Sequence, residues 1–389
     1  MITIHSDFES GSIEVINASN AENIELNISK DNQACTRQWF YFAIESSHIE
    51  PQQITLRNAA KVSFVNAWQG YQVFASYNNV DWFRVATQYQ NEQLIIRHEV
   101  TEHIVYYAYF VPYSLARQHQ LNDKLLQNPH VISQEIGQST LGESITLLRI
   151  GDHREQTKKV WLIARQHPGE TMAQWIIDGL LNHYFDNATT FARQFTNIEF
   201  FVVANMNPDG CKLGNHRTNA QGVNLNRQWQ DPNAASCPEV SAVKQAMESY
   251  GVDLFIDIHG DEQLPYNFMM VEGHHPMGET LKRSLHQLYS NFQIKYDYDT
   301  PNDDANDTTV SPCCGCAPKA YSTATQYVYQ HFGVAAILLE ASFKPLAGKT
   351  PAARWDHHDC QQLGARLLHA IAATTKAWDH SYTNAVKVS

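Results

Sequence analysis

No stretch of about eighteen consecutive apolar residues occurs in the chain, so hydropathy offers no membrane-spanning helix. The opening residues, MITIHSDFESGSIEVINAS, lack a basic segment followed by an apolar one, and a secretory leader is not expected. Positive charge is scarce. Lysine and arginine number 28 against 40 aspartates and glutamates, the formal net charge is -12, and no basic block is present. Phosphate backbones and anionic bilayers demand clustered cations, so neither nucleic acid nor a membrane is expected as a partner. The seven cysteines form an odd set without secretory spacing, as a reducing compartment permits, and no disulfide is required. Internal repeats and low-complexity tracts are also missing. These absences together predict a soluble, cytoplasmic protein.

Apolar residues, by contrast, are plentiful. They make up 43% of 389 residues, enough for one large domain or two ordinary ones. Up to about Tyr113 short β-like runs (SIEVI, WFYFAI, VSFVNAW, YQVFASY, DWFRVAT, EQLIIRHEV, HIVYYAYFVPY) alternate with Asn, Asp and Gly turns, NNVDW being the tightest. That rhythm predicts an antiparallel β-sandwich over residues 1–115. After a helical segment, YSLARQHQLNDKLLQNP, the pattern changes. KVWLIA, IEFFVVANMN, VDLFIDIHG and VAAILLEASF are runs of the kind buried on both faces of a mainly parallel sheet. Between them, Met172, Trp175, Ile176 and Leu180, then Val240, Val243 and Met247, then Met277, Leu281, Leu285 and Leu288, keep helical spacing. The expected second unit, residues 116–378, is α/β, with a mixed, mainly parallel sheet flanked by helices. Residues 379–389 read as a tail. The polar stretch DYDTPNDDANDTTVSPCCGCAPKAYSTAT reads as a long loop.

Chemistry gathers at the ends of the buried runs. His167 lies where KVWLIA gives out, Pro168-Gly169 makes a turn, and Glu170 opens the next helix. Both side chains can then converge at the carboxyl edge of the sheet, where open α/β sheets bind ligands. Taken alone, the pair is equally a first-turn carboxylate answering a helix dipole beside a satisfied histidine. His259, ending VDLFIDIH, adds a third ligand type. Two histidines and a glutamate suit Zn²⁺ and leave a fourth tetrahedral position for water, as catalytic zinc requires. Asp257, on the same strand face as His259, either steadies that ligand or makes a local bond. Glu340 closes a wholly apolar strand, so it is either a general base with a raised pKa or a salt-bridged structural acid. The glycine-rich excursion between the ligands carries Arg217, Asn226 and Arg227, donors able to fork onto a carboxylate or polarise a carbonyl, unless the loop is merely solvated. Trp229 reads as packing. Cys313, Cys314 and Cys316 lack the CxxC pairing of a zinc knuckle, and adjacent histidines in EGHHP and DHHDC diverge.

The ordered set H-x-x-E at His167 and Glu170, N-P-D-G at 207–210, N-R at Asn226-Arg227, H-G at His259-Gly260 and the late Glu340 resembles the M14 zinc metallocarboxypeptidases. QWFYFAI, DWFRVAT and YYAYFVPYSLARQHQL resemble the cytosolic carboxypeptidase branch, so the likeness spans nearly the whole chain. It implies one zinc per chain held by His167, Glu170 and His259. It further implies that Asn226 and Arg227 grip a terminal carboxylate, that Arg217 stabilises the oxyanion, and that Glu340 acts as base and then acid on a zinc-bound water. The activity implied is cleavage of the C-terminal peptide bond of peptides or protein tails. A substrate-capping tyrosine has three candidates, Tyr321, Tyr327 and Tyr329, with Tyr321 ranked first. Asn224 departs from the family, which commonly has aspartate there, and a softer grip on the metal follows. Lys319 and Lys344 are candidates for a basic group in a side-chain pocket.

Two other functions share these residues. Zinc amidohydrolases that deacylate N-acyl amino acids use the same constellation, but the N-terminal sandwich favours the peptidase. A catalytically silent module that binds C-terminal tails would have no reason to keep all three ligand types and Glu340.

Overall fold

The structure is a computed structural model that describes residues 1–295, 323–347 and 355–385, with side chains through Lys376 in the last segment. The first ten strands form two five-stranded sheets. One contains β1 (Ile2–His5), β4 (Tyr41–Ser46), β10 (Ile104–Ala108), β6 (Phe74–Ser76) and β7 (Trp82–Arg84), in that order and antiparallel throughout. The other contains β2 (Glu14–Asn17), β3 (Ile24–Asn27), β5 (Gln52–Leu56), β9 (Gln93–His98) and β8 (Ala86–Gln90), and its β3–β5 pair runs parallel. The expected sandwich-type unit is present, with two local differences. DWFRVAT is divided between the two sheets at Val85. VSFVNAW is not a strand but a bend followed by a 3₁₀ turn (Val65–Trp68), in which Val62, Ala67 and Trp68 are buried and the Trp68 indole N–H donates to the carbonyl of Ala59, in the 3₁₀ turn just before, at 2.8 Å. An apolar run that short fits a turn as well as a strand, and packing decided.

The larger sheet has seven strands in the order β11 (Val131–Gln138), β12 (Ser144–Gly151), β14 (Ile198–Val203), β13 (Lys158–Ala164), β15 (Leu254–Asp261), β17 (Ala335–Ser342) and β16 (Phe268–Val271). The pairs β14–β13, β13–β15 and β15–β17 are parallel, and the flanking pairs are antiparallel. From β13 the chain goes first to one neighbour, β14, and later to the other, β15. The carboxyl end of β13 is therefore a topological switch point, where the crossover helices leave in opposite directions and open a crevice.

Alternation along the strands explains the layering. Trp161, Ile163, Phe201, Val203 and Phe255 face α5 (Pro238–Tyr250) and α7 (Ala324–Phe332). Val160, Leu162, Phe200, Val202 and Leu254 face α2 (Thr171–Asp186), α6 (Pro276–Leu288) and α8 (His357–Ala385). Three shorter helices complete the set: α1 (Leu115–Leu125), joining the two units, α3 (Ala188–Gln194) and α4 (Pro208–Lys212). The second apolar layer is continuous with the core of the N-terminal sheets through Tyr109, Phe110 and Phe343. Tyr109 stacks on Phe343 at 4.6 Å between ring centroids, so the two units are welded by an aromatic contact of the kind worth about 1 kcal/mol beyond burial. Helix α8 continues past Trp378 to Ala385, so the expected tail begins inside a helix. Cys211, Cys237 and Cys360 are free and buried, whereas Cys35 is disulfide-bonded, contrary to the expectation of a chain without disulfides.

Helices α2 and α8 approach backbone to backbone at Gly179 and Gly364. A Cβ on Gly364 would collide with the Ile176 carbonyl, and one on Gly179 with the Gln361 backbone. Gly364→Ala should therefore destabilise by about 1–3 kcal/mol or more, read as a lower denaturant midpoint with the slope unchanged. A midpoint equal to that of the parent would contradict the close crossing.

Candidate metal centre and active site

Each candidate residue reaches the crevice for a local reason. Strand β13 ends at Ala164, and Arg165 takes the left-handed conformation (φ +61) that turns the chain out of the sheet. For a non-glycine residue this is strained backbone of the sort found beside functional sites. Pro168-Gly169 then reverses direction. A Cβ on Gly169 would strike the His216 ring, and the Gly169 N–H donates to the His216 carbonyl at 2.8 Å, so only glycine fits the turn. Glu170 follows at the N-cap of α2 but makes no capping bond. Its carboxylate faces the crevice instead.

There it stands between two imidazoles. Glu170 Oε1 lies 2.6 Å from His167 Nδ1 and Oε2 lies 2.8 Å from His259 Nδ1, while the two Nδ1 atoms are 3.2 Å apart. All three residues are buried, and their candidate ligand atoms fall within 4.8 Å of one another. The outer nitrogens are tethered from behind. His167 Nε2 is 3.0 Å from Asn224 Oδ1, and His259 Nε2 is 3.0 Å from Asp257 Oδ2. If each outer nitrogen carries the proton, both Nδ1 lone pairs point inward, the tautomer that a metal needs. Two neutral imidazoles and one carboxylate make a donor set that fits Zn²⁺ with a position to spare.

Electrostatics agree with that fit. Burial drives the pKa of His167 down to about 3, helped by the nearby Arg217 and His259 cations and opposed by Glu170, so its imidazole is neutral. Burial alone would also lower His259, but the Asp257 and Glu170 carboxylates outweigh it and raise it well above the usual value. In the absence of a cation the site therefore holds a proton that a metal must displace. Burial, reinforced by Glu170, Asp261 and Glu262, raises Glu340 well above the ordinary carboxyl range, with His259 opposing. Glu340 sits beside His259 in register on the adjacent strand, is 7% exposed, and has one carboxyl oxygen, Oε2, buried with no partner. It is not the salt-bridged structural acid that the sequence also allowed. An orphaned carboxyl oxygen beside a cation-ready cluster is available for a proton.

The sequence did not reveal several supporting residues. Gln166 Nε2 donates to Asp257 Oδ2 at 2.7 Å, and the Trp229 indole N–H donates to Gln166 Oε1 at 2.8 Å, so Trp229 both packs and locks the Asp257–His259 pair. Asn207 donates to the Gln166 carbonyl at 3.0 Å and caps α4 through Gly210 N–H. His216 and Glu262, both buried, pair at 2.7 Å behind the Gly169 turn. Asn226 is buried, with Oδ1 accepting from Ala324 N–H at the start of α7 and Nδ2 3.3 Å from His259 Nε2. Arg227 donates to the Asn226 carbonyl at 2.9 Å. Arg217 is half-buried over the Phe64 ring at 5.4 Å. Tyr327 hydrogen-bonds Glu248 and packs against Trp229, away from any capping role. Lys344 is buried with its ammonium on the Asn66 and Gln263 carbonyls, and burial lowers its pKa to about 8. Tyr321, Lys319, Cys313, Cys314 and Cys316 lie outside the described residues.

A sequence model of zinc carboxypeptidases matches residues 119–362. The chain belongs to the M14 zinc carboxypeptidase family. A second model, the cytosolic carboxypeptidase N-terminal domain, matches residues 4–110. This M14 enzyme is similar over 97% of its length to the whole of a metallo-carboxypeptidase from Burkholderia cenocepacia, with 33% identity and a TM-score of 0.89. It is similar over 96% of its length to 99% of a metallo-carboxypeptidase from Pseudomonas aeruginosa solved in complex with (2-guanidinoethylmercapto)succinic acid, with 35% identity and a TM-score of 0.86. Cytosolic carboxypeptidase 1 of Xenopus laevis is 26% identical over 69% of this chain, a region that makes up 26% of that relative. The protein is thus a carboxypeptidase-class hydrolase, and its family implies zinc at the cluster described above. Among the described residues no helix is long and apolar enough to cross a membrane.

Asn224 offers an amide where a carboxylate would polarise His167 more strongly. Asn224→Asp should raise zinc affinity about tenfold, measured by competition against a chromogenic chelator. An unchanged affinity would show that Asn224 only orients the ring.

Proposed function

We propose that this carboxypeptidase removes C-terminal residues from peptides or protein tails that end in a free carboxylate, in the cytosolic setting that some relatives are named for. The observation that carries the reading is the buried cluster of His167, Glu170 and His259 with the unpartnered Glu340 oxygen beside it. Zinc, when bound there, would acidify water and polarise a carbonyl.

The remaining work falls to side chains. Arg227, with Asn226, would receive the terminal carboxylate in a forked, charge-assisted pair and fix the substrate in one register. That the Pseudomonas relative was solved with a succinic acid derivative, a dicarboxylic acid, supports a carboxylate grip. Arg217 would offer its guanidinium to the oxygen on which negative charge develops, a preorganised donor in a water-poor crevice. Glu340 Oε2 would take a proton from the attacking water and return it to the leaving amine. Its raised pKa suits both halves of that exchange, because a carboxylate that binds protons more readily is a better base and is still an acid of useful strength.

Glu340→Gln should retain zinc and lose about 10²–10⁴-fold in kcat, followed by metal analysis and turnover of a model peptide. Near-parental kcat would exclude the proton-transfer role. Arg227→Ala should raise KM for peptides with a free C-terminus and erase the preference over their C-terminal amides. Undiminished discrimination would remove Arg227 from the carboxylate grip.

A further inference from the structure

The loop that carries Arg217 is fastened not only to the unit in which it lies but also, through many bonds, to turn segments of the N-terminal unit. Asp31, 4% exposed, points its carboxylate at three consecutive backbone N–H groups of that loop. Oδ1 accepts from His216 N at 2.7 Å, and Oδ2 accepts from Arg217 N at 2.8 Å and Thr218 N at 3.0 Å. The hydroxyls of Thr218 and Thr36 donate to Oδ2 as well, at 3.1 and 3.0 Å. Successive N–H groups converging on one carboxylate form an anion nest, and charge-assisted bonds of this kind are about twice as strong as neutral ones. From the same unit, the Phe64 ring lies 5.4 Å from the Arg217 guanidinium carbon and 5.9 Å, edge-on, from His216.

The rest of the loop is fastened to the same neighbours. Asn32 N–H donates to Asn215 Oδ1 at 3.0 Å, and the side chains of Asn32 and Gln33 donate to the Ala220 carbonyl at 2.6 and 3.1 Å. Ser10 N–H donates to the Lys212 carbonyl at 3.1 Å and its hydroxyl to the Cys211 carbonyl at 2.7 Å. At both ends the backbones touch. A Cβ on Gly214 (φ +67) would lie 2.6 Å from the Gly11 carbonyl oxygen, and one on Gly222 (φ +72) would collide with the Gln33 carbonyl. Ser10 (φ +64) and Gln33 (φ +55), which face those glycines, are themselves in the left-handed region. Backbone strain on both sides of one contact persists only where the surroundings over-determine it.

We infer that Asp31 and Phe64 are positioning residues for Arg217, so that the N-terminal sheets complete the reaction site of the catalytic unit. Resting on the oxyanion role proposed for Arg217, the inference fixes how that guanidinium is aimed. Asp31 sets the backbone from which the side chain departs, and Phe64 limits where its planar head settles. Neither residue is a catalytic group: the effect assigned to them is exerted through Arg217, and because Asp31 and Phe64 also contact His216, whose carbonyl holds the Gly169 turn, the test must separate the two routes.

A double-mutant cycle separates this from a general structural role. The full-length zinc enzyme is assayed as parent, Asp31→Asn, Arg217→Ala and the double variant, with zinc content and Tm measured for each. Asp31→Asn should lower kcat by up to about 10²-fold, the scale of a misplaced catalytic group, with KM changed far less. In the Arg217→Ala background the same substitution should leave kcat within about twofold, because interactions that act through one group do not add. Equal losses in both backgrounds, or no loss in the parent, would overturn the inference. Phe64→Leu, which leaves the nest intact, gives the same cycle if Asp31→Asn does not fold, and it should be silent only when Arg217 is absent. An unchanged kcat in Arg217→Ala alone would instead overturn the oxyanion role.

Discussion

The structure turns on one carboxylate placed between two buried imidazoles. Glu170 bridges His167 and His259 at 2.6 and 2.8 Å, and each imidazole is held from behind by an oxygen of Asn224 or Asp257. Burying three ionisable groups this closely is unfavourable unless they are paired or coordinate a cation. The supporting residues act in sequence: Trp229 holds Gln166, Gln166 holds Asp257, and Asp257 holds His259. Rigidity at the cluster is thus inherited from the indole of a buried tryptophan and from two parallel strands in register.

The sheet makes such a cluster possible. Because β13 is followed in the chain first by its neighbour on one side, β14, and later by its neighbour on the other, β15, the ends of β13, β15 and β17 open onto a single crevice. His167 reaches it from the turn just after β13, and His259 and Glu340 from their own strands. The crevice is not closed by the catalytic unit alone. Its Arg217 wall is fastened to Asp31 and its neighbours, which lie in the turn segment between β3 and β4 of a unit that shares an aromatic core with the catalytic helices. Core, switch point and reaction site are therefore one mechanical object.

Much of this was legible in the sequence, and the reason is proximity to strand ends. His167, Glu170, His259 and Glu340 each sit where an apolar run stops, and a charged or ligand-type residue at such a place is costly unless it is used. The parallel core was legible because strands buried on both faces lose the alternation of half-buried ones. The short strands β1, β3 and β5, the β11–β12 hairpin and the edge strand β16 were not: β1, β3 and β5 carry few apolar residues, and β16, FMMV, is an apolar run too short to show its period, so its pairing is set by its partner. VSFVNAW was misread because a buried turn and a strand ask for the same side chains. Asp31 could not have been found at all. It lies 186 positions from Arg217 in a run of polar turn residues, and only the fold brings it to the loop. Asn224 and Asp257 occupy an intermediate case: the family resemblance singled out the first and strand spacing the second, and the geometry supplied their partner atoms.

The central claim is that the His167–Glu170–His259 cluster holds zinc and that this zinc serves removal of single residues from free C-termini. The most direct test is metal analysis of the purified chain together with mass spectrometry of a peptide library varied at its last residues, before and after chelation. One zinc per chain, with single residues lost from free C-termini, stopped by chelator and restored by added Zn²⁺, is the expected result. A chain that carries one zinc yet leaves every free C-terminus intact, or that cleaves equally well after the metal is removed, would contradict the account.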